Sequence, residues 1–137
     1  MDLQLPPHAV LSEWADEELQ SLPAAGSLIS AYKACVNGTQ ARNEYKPYPI
    51  GKFKFHEARC TDNKVAYRLI YGKVRVKRNL VKTSANNLNT KYPIRIVGLV
   101  ATDKKGDSLR DGIKKSVKTR FDHWLSLNLE YERDGKG

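Results

Sequence analysis

Lys52-Phe53-Lys54-Phe55-His56-Glu57-Ala58, then Val65-Ala66-Tyr67-Arg68-Leu69-Ile70-Tyr71-Gly72-Lys73-Val74-Arg75-Val76 after the turn residues Thr61-Asp62-Asn63-Lys64, decide the fold. In the first run Phe53 and Phe55 alternate with Lys54 and His56, which is the period of a strand with one apolar and one basic face. The second run is rich in β-branched and aromatic residues. Val65, Tyr67, Leu69 and Tyr71 share one of its faces, and Ala66, Arg68 and Ile70 point the other way. Gly72 reads as a bulge or a sharp twist in that strand.

Helical periodicity replaces alternation on both sides of these strands. Towards the N-terminus, Val10, Leu11, Trp14, Leu19 and Leu22 fall on one side of a helix expected at 12–22, which Pro23 ends. A second helix is expected from Ser27, with Leu28, Ile29, Tyr32, Cys35, Val36 and Thr39 inward, so the two form a helical hairpin. Tyr45-Lys46-Pro47-Tyr48-Pro49 cannot continue a helix and marks a change of structure. Towards the C-terminus, 94–102 is apolar on both faces and reads as a strand covered on both sides. A closing helix is expected at 108–127, with Leu109, Ile113, Val117, Phe121, Trp124 and Leu125 as its stripe and Ser108 with Asp111 at its start. The expected fold is α+β: an N-terminal helical hairpin, a twisted antiparallel sheet of three to four strands and a C-terminal helix. Residues 1–137 form one domain in this reading, with a long polar loop at 78–92 and a disordered tail at 133–137.

Charge narrows the function. Lys and Arg number 24 against 15 Asp and Glu, a net +9. Before Lys33 there is no Lys or Arg, while Asp2, Glu13, Asp16, Glu17 and Glu18 are all acidic, so the excess is concentrated in the remaining chain. A body this cationic is suited to a polyanion, and its basic residues lie on strand-like runs rather than on one amphipathic helix. Nucleic acid or the ribosome is therefore expected before a membrane. No signal peptide or membrane span is expected, which points to the cytoplasm. Cys35 and Cys60 have no short spacing and read as free thiols.

Several chemistries find no support. His8, His56 and His123 are scattered, His56-Glu57 lacks a second histidine at zincin spacing, and no phosphate-binding glycine loop or nucleophile elbow occurs. No metal and no cofactor are expected, and an enzyme of this composition would rely on basic side chains.

The string Ala66-Tyr67-Arg68-Leu69-Ile70-Tyr71, with a basic strand before it and an apolar strand ending in Asp103-Lys104-Lys105 after it, resembles the central part of toxins of the RelE/ParE superfamily. The likeness covers roughly 52–125, and the helical hairpin and the closing helix agree with it in kind. It implies the toxin of a type II toxin–antitoxin system: a metal-independent, ribosome-dependent mRNA endonuclease, or mRNA interferase, that inhibits translation. Its partners would be mRNA, the ribosome and a cognate antitoxin protein. The resemblance assigns Arg68 to the scissile phosphate, Lys54 and Arg59 to the basic strand that shares the catalysis, and Lys105, with Lys104 beside it, to phosphate or leaving-group stabilisation.

Cleavage of this kind uses the RNA's own 2′-hydroxyl and needs a base, an acid and stabilisation of developing negative charge. His56 shares the face of Lys54 by alternation and is a candidate for proton transfer. Lys73, Arg75, Lys77, Arg78 and Lys82 form a basic ribbon suited to RNA backbone rather than to chemistry. Arg68 alternates away from Tyr67, Leu69 and Tyr71, so its removal is expected to change folding little. Two other readings stand beside this one: a ParE-like inhibitor of DNA gyrase, and a non-enzymatic basic nucleic-acid-binding protein. The chain departs from the family in length, above all at 78–92, where a tight turn is usual.

Overall fold

The structure, a computed structural model, describes residues 5–77, 93–103 and 110–134. It is α+β, with three helices and a six-stranded mixed sheet among the described residues. In chain order the elements are β1 (Ala9–Leu11), α1 (Glu13–Gln20), α2 (Ala25–Asn37), a 3-10 turn (Arg42–Glu44), β2 (Tyr45–Ile50), β3 (Phe53–Asp62), β4 (Val65–Val76), β5 (Ile94–Asp103), α3 (Arg110–Leu127) and β6 (Tyr131–Arg133).

Local chemistry sets the helix boundaries. The Ser12 hydroxyl accepts the Ala15 N–H and caps α1, and Gly38 closes α2 in the left-handed conformation at φ 72°. Both helices of the expected hairpin are present, close to their expected bounds.

The sheet runs β1-β5-β4-β3-β2, and β6 joins β4 off that path. The pairs β2–β3, β3–β4 and β4–β5 are antiparallel, as expected. The expectation of a wholly antiparallel sheet of three to four strands is corrected, because β1 pairs parallel with β5. Pro47 and Pro49 lie inside β2, a segment that looked like a break in structure. An edge strand tolerates them because it has one side with no ladder to satisfy.

β3 pairs with β4 only from His56 to Asp62, which leaves Val74–Val76 to bond with β6. The expected disordered tail is thereby corrected at its start: Arg133 belongs to β6 and the Asp134 N–H donates to Lys73 O. Residues 135–137 lie outside the described residues, as does the 78–92 loop.

Two apolar clusters flank the sheet. On one face α1 and α2 place Leu19, Leu28, Ile29 and Tyr32 against Ala58, Tyr67, Leu69, Tyr71 and Ile96. On the other α3 places Val117 and Phe121 against Phe55, Ile70, Val74, Val97 and Leu99. β5 feeds both clusters, which is why its sequence is apolar on both faces. The β4–β5 register shifts between Ile70 and Tyr71, which pair with Val100 and Gly98, so Leu99 is the extra residue of a bulge. Gly72, next to that shift, is needed for close packing: a Cβ there would stand 3.0 Å from the Phe121 ring and 3.2 Å from Phe55.

Candidate functional site

Alternation along β3 and β4 sorts the candidate residues onto two faces. Arg59 stands directly opposite Arg68 in the β3–β4 ladder, and His56 stands opposite Tyr71. Odd-numbered β3 residues and even-numbered β4 residues face α3, so Phe55, Glu57, Arg59, Arg68 and Ile70 share that side. Lys54, His56, Lys73 and Arg75 therefore lie on the side of the helical hairpin. The five residues assigned to catalysis do not form one group. Arg59 and Arg68 are together, Lys54 and His56 are behind the sheet from them, and Lys105 lies outside the described residues, as do Lys104, Arg78 and Lys82.

On the α3 side two arginines in direct cross-strand register would repel each other. Glu57, two residues before Arg59 on the same face, lies between them. Its Oε2 is 3.2 Å from Arg59 Nε, and its Oε1 accepts from Arg68 Nη1 at 3.5 Å. Glu57 is 1 % exposed and Arg68 4 %, whereas the Arg59 side chain is 31 % exposed. Arg68 also lies over the Tyr48 ring, and its Nε and Nη2 are buried with no hydrogen-bond partner among the described residues. Arg68 is thus a buried member of an ion-pair cluster, and the expectation that its removal leaves folding unchanged is corrected. Arg59 is the member that can turn outward, and it lines a groove of about 390 Å³ with Asn43, Glu44 and Thr61.

Glu57 escaped the sequence reading. The available signal was an acid in a basic strand, spaced by two from Arg59 and therefore on its face.

On the hairpin side His56 is stacked on Tyr71, ring centres 5.2 Å apart, and its Nδ1 is 2.8 Å from the Tyr45 hydroxyl. Burial, with Lys73 and Lys54 nearby, lowers its pKa to about 4, so it is neutral at pH 7. Cys35, Tyr45, His56, Tyr71 and Lys73 line a hollow of about 360 Å³ beside the C-terminus of α2. Burial raises the Cys35 thiol pKa, which keeps it protonated. Of the basic ribbon, Arg75 is exposed and Lys73 and Lys77 are half-buried. Tyr131 packs on Trp124, ring centres 5.4 Å apart, and His123 meets Trp14 edge-on at 5.4 Å.

Among the described residues no group of three or more His, Cys, Asp or Glu could hold a metal ion. No helix among them is long and apolar enough to cross a membrane. Comparison with family models, with curated proteins and with solved structures finds no match.

Proposed function

We propose that the protein is a toxin of the RelE/ParE type that cuts mRNA on the ribosome without a metal, with its reaction centre at Glu57, Arg59 and Arg68. One observation carries this reading: Arg59 and Arg68 stand in direct register and converge on a single buried carboxylate. The order of helical hairpin, antiparallel strands and closing helix, together with the net charge of +9, supports it.

The three groups carry +1 between them, a net charge that attracts the −1 of a phosphodiester. A phosphate that draws Arg59 outward uncovers Glu57, and the carboxylate then takes the proton of the 2′-hydroxyl. The 2′-oxygen bonds to phosphorus, the bond from phosphorus to the 5′-oxygen breaks, and the departing 5′-oxygen takes a proton from water. The products therefore carry a 2′,3′-cyclic phosphate and a 5′-hydroxyl, while Glu57 returns its proton to solvent. Arg68 and Arg59 hold the negative charge that builds on the phosphoryl oxygens. Lys105, by the family resemblance, supplies charge stabilisation at the leaving group.

The test is a translated message with mapped 3′ ends. The wild type is expected to leave 2′,3′-cyclic phosphate ends, and a message with a 2′-deoxynucleotide at the mapped position is expected to resist. Growth arrest with intact messages and trapped gyrase–DNA complexes would replace this reading with the gyrase inhibitor. Binding to RNA with no cleavage would leave the non-enzymatic reading.

A further inference from the structure

Phe53 opens β3 on the same face as Glu57 and Arg59, and three cations from three elements surround its ring. Lys52 Nζ, from the β2–β3 turn, is 5.8 Å from the ring centre. Lys118 Nζ, from α3, is 5.4 Å away, and Arg133 Cζ, from β6, is 4.1 Å away. Arg133 pairs with Asp122 and also lies over Phe121. Among the described residues neither Lys52 nor Lys118 has an ion-pair partner, and both are exposed. Lys114, one turn before Lys118, extends the patch along α3.

An aromatic ring draws cations to its face but does not cancel their charge, so among the described residues one ion-paired acid, Asp122, is left to balance three cations packed around one ring. Such a cluster is repulsive by itself and is relieved by an anion that bridges its members. A row of phosphates does this, and a single carboxylate does not. The patch lies about 13 Å from Glu57, the span of four residues of one strand.

We infer that the Lys52–Lys118–Arg133 cluster around Phe53 is a docking site for RNA backbone, holding the strand that also enters the Glu57 centre. The inference rests on the functional reading above for the identity of that strand. β3 then acts as a rigid ruler, with the reaction centre towards one end and a backbone clamp at the other. The clamp contacts phosphates only, so it adds affinity and register without base preference.

The experiment uses the full-length protein and a 2′-O-methyl single-stranded RNA, which cannot be cleaved. Lys52→Ala with Lys118→Ala is compared with Lys33→Ala with Arg42→Ala, which removes the same charge from the α2 side of the molecule. Both side chains of the test pair are exposed, and equal thermal midpoints confirm that the fold is kept. The Lys52/Lys118 pair is expected to weaken binding about tenfold, and to lower the slope of log affinity against log salt by about 1.4. The control pair is expected to lower affinity less than twofold. Equal losses for the two pairs, or no loss for the first, overturn the clamp even if the wild type still cuts messages. If the wild type leaves messages intact while the Lys52/Lys118 effect on binding remains, the cleavage reading falls and the clamp stands. Binding of the wild type to phosphatidylserine vesicles but not to the RNA overturns it in favour of a membrane surface.

Discussion

Glu18 of α1 and Arg120 of α3 meet across the edge of β5, Oε1 to Nη1 at 2.6 Å and Oε2 to Nη2 at 3.2 Å. Each also closes a backbone group of that edge: Glu18 Oε1 accepts the Ala101 N–H at 3.2 Å, and Arg120 Nη1 donates to Leu99 O at 2.9 Å. The pair joins helices from opposite faces of the sheet and covers the part of β5 beyond its pairing with β1. Removing Glu18 breaks the ion pair and takes the side-chain acceptor from the Ala101 N–H, and removing Arg120 breaks it and takes the donor from Leu99 O. Glu18→Ala and Arg120→Ala are each expected to cost about 1–2 kcal/mol, after allowance for partial exposure. The double variant is expected to cost clearly less than the two together, as measured by urea unfolding.

His56 makes stability depend on pH in a defined window. Its folded pKa of about 4 lies below the ordinary value of 6.5, so between those values the unfolded chain binds more proton than the folded one. Stability is unaffected by this group above pH 6.5, falls as pH drops from 6.5 towards 4, and loses nothing further below that. The groups facing the ring are Tyr45, Tyr71, Lys54 and Lys73, and the two lysines add to the cost of burial. His56→Gln is expected to flatten this part of the stability profile by on the order of 2–3 kcal/mol. Titration of the His56 ring protons by NMR checks the pKa directly, and a midpoint near 6.5 contradicts it.

Two backbone positions test the strand geometry. Asn63 and Lys64 both have positive φ, 53° and 66°, in the two-residue turn between the paired residues Asp62 and Val65. Lys64→Gly is expected to stabilise by about 0.5–1 kcal/mol, because glycine adopts that conformation without strain. Gly72→Ala is expected to destabilise by about 1–3 kcal/mol, since its methyl group would press on Phe121 and Phe55. Denaturation midpoints that move the other way refute the corresponding assignment.

The long elements were legible because each carries a periodic signal over several turns or alternations. β4 runs from Val65 to Val76 as the alternation implied, and Leu19, Leu28, Ile29, Tyr32, Val117 and Phe121 of the helical stripes are buried. Val10 and Leu11 instead belong to β1, with Val10 exposed, Thr39 is exposed beyond α2, and Leu109 lies outside the described residues. β1 and β6, of three residues each, are too short to show alternation, and both form only through distant partners, Ile96–Gly98 and Val74–Val76. β2 was hidden by Pro47 and Pro49, which argue against a central strand and say little about an edge. For the site, a one-strand reading grouped Lys54, His56 and Arg68. The face of Arg68 relative to β3 depends on the hairpin register, and Arg59 opposite Arg68 puts Lys54 and His56 behind the sheet.

The Glu57–Arg68 pair separates a structural role from a catalytic one. Both side chains are almost fully buried, so removing Glu57 leaves Arg68 buried without its carboxylate at a cost of about 3–5 kcal/mol, whereas removing Arg68 leaves Glu57 paired with Arg59 alone. Glu57→Met and Arg68→Met are therefore each expected to lower the unfolding free energy strongly, with Glu57→Met the worse because Arg59 is left beside Arg68. Replacing both at once removes the unpaired charge and fills the space with apolar side chains. The double variant is expected to recover most of the stability lost by either single variant. Activity should not follow stability. If Glu57 takes the proton of the 2′-hydroxyl and Arg68 holds the phosphoryl charge, the folded double variant should lose at least about a hundredfold in message cleavage. Arg59→Ala, which changes the half-exposed member, should cost little stability while reducing cleavage. Message cleavage at the wild-type rate by the stable double variant would reduce Glu57 and Arg68 to an ion pair that holds β3 against β4, and move the chemistry elsewhere.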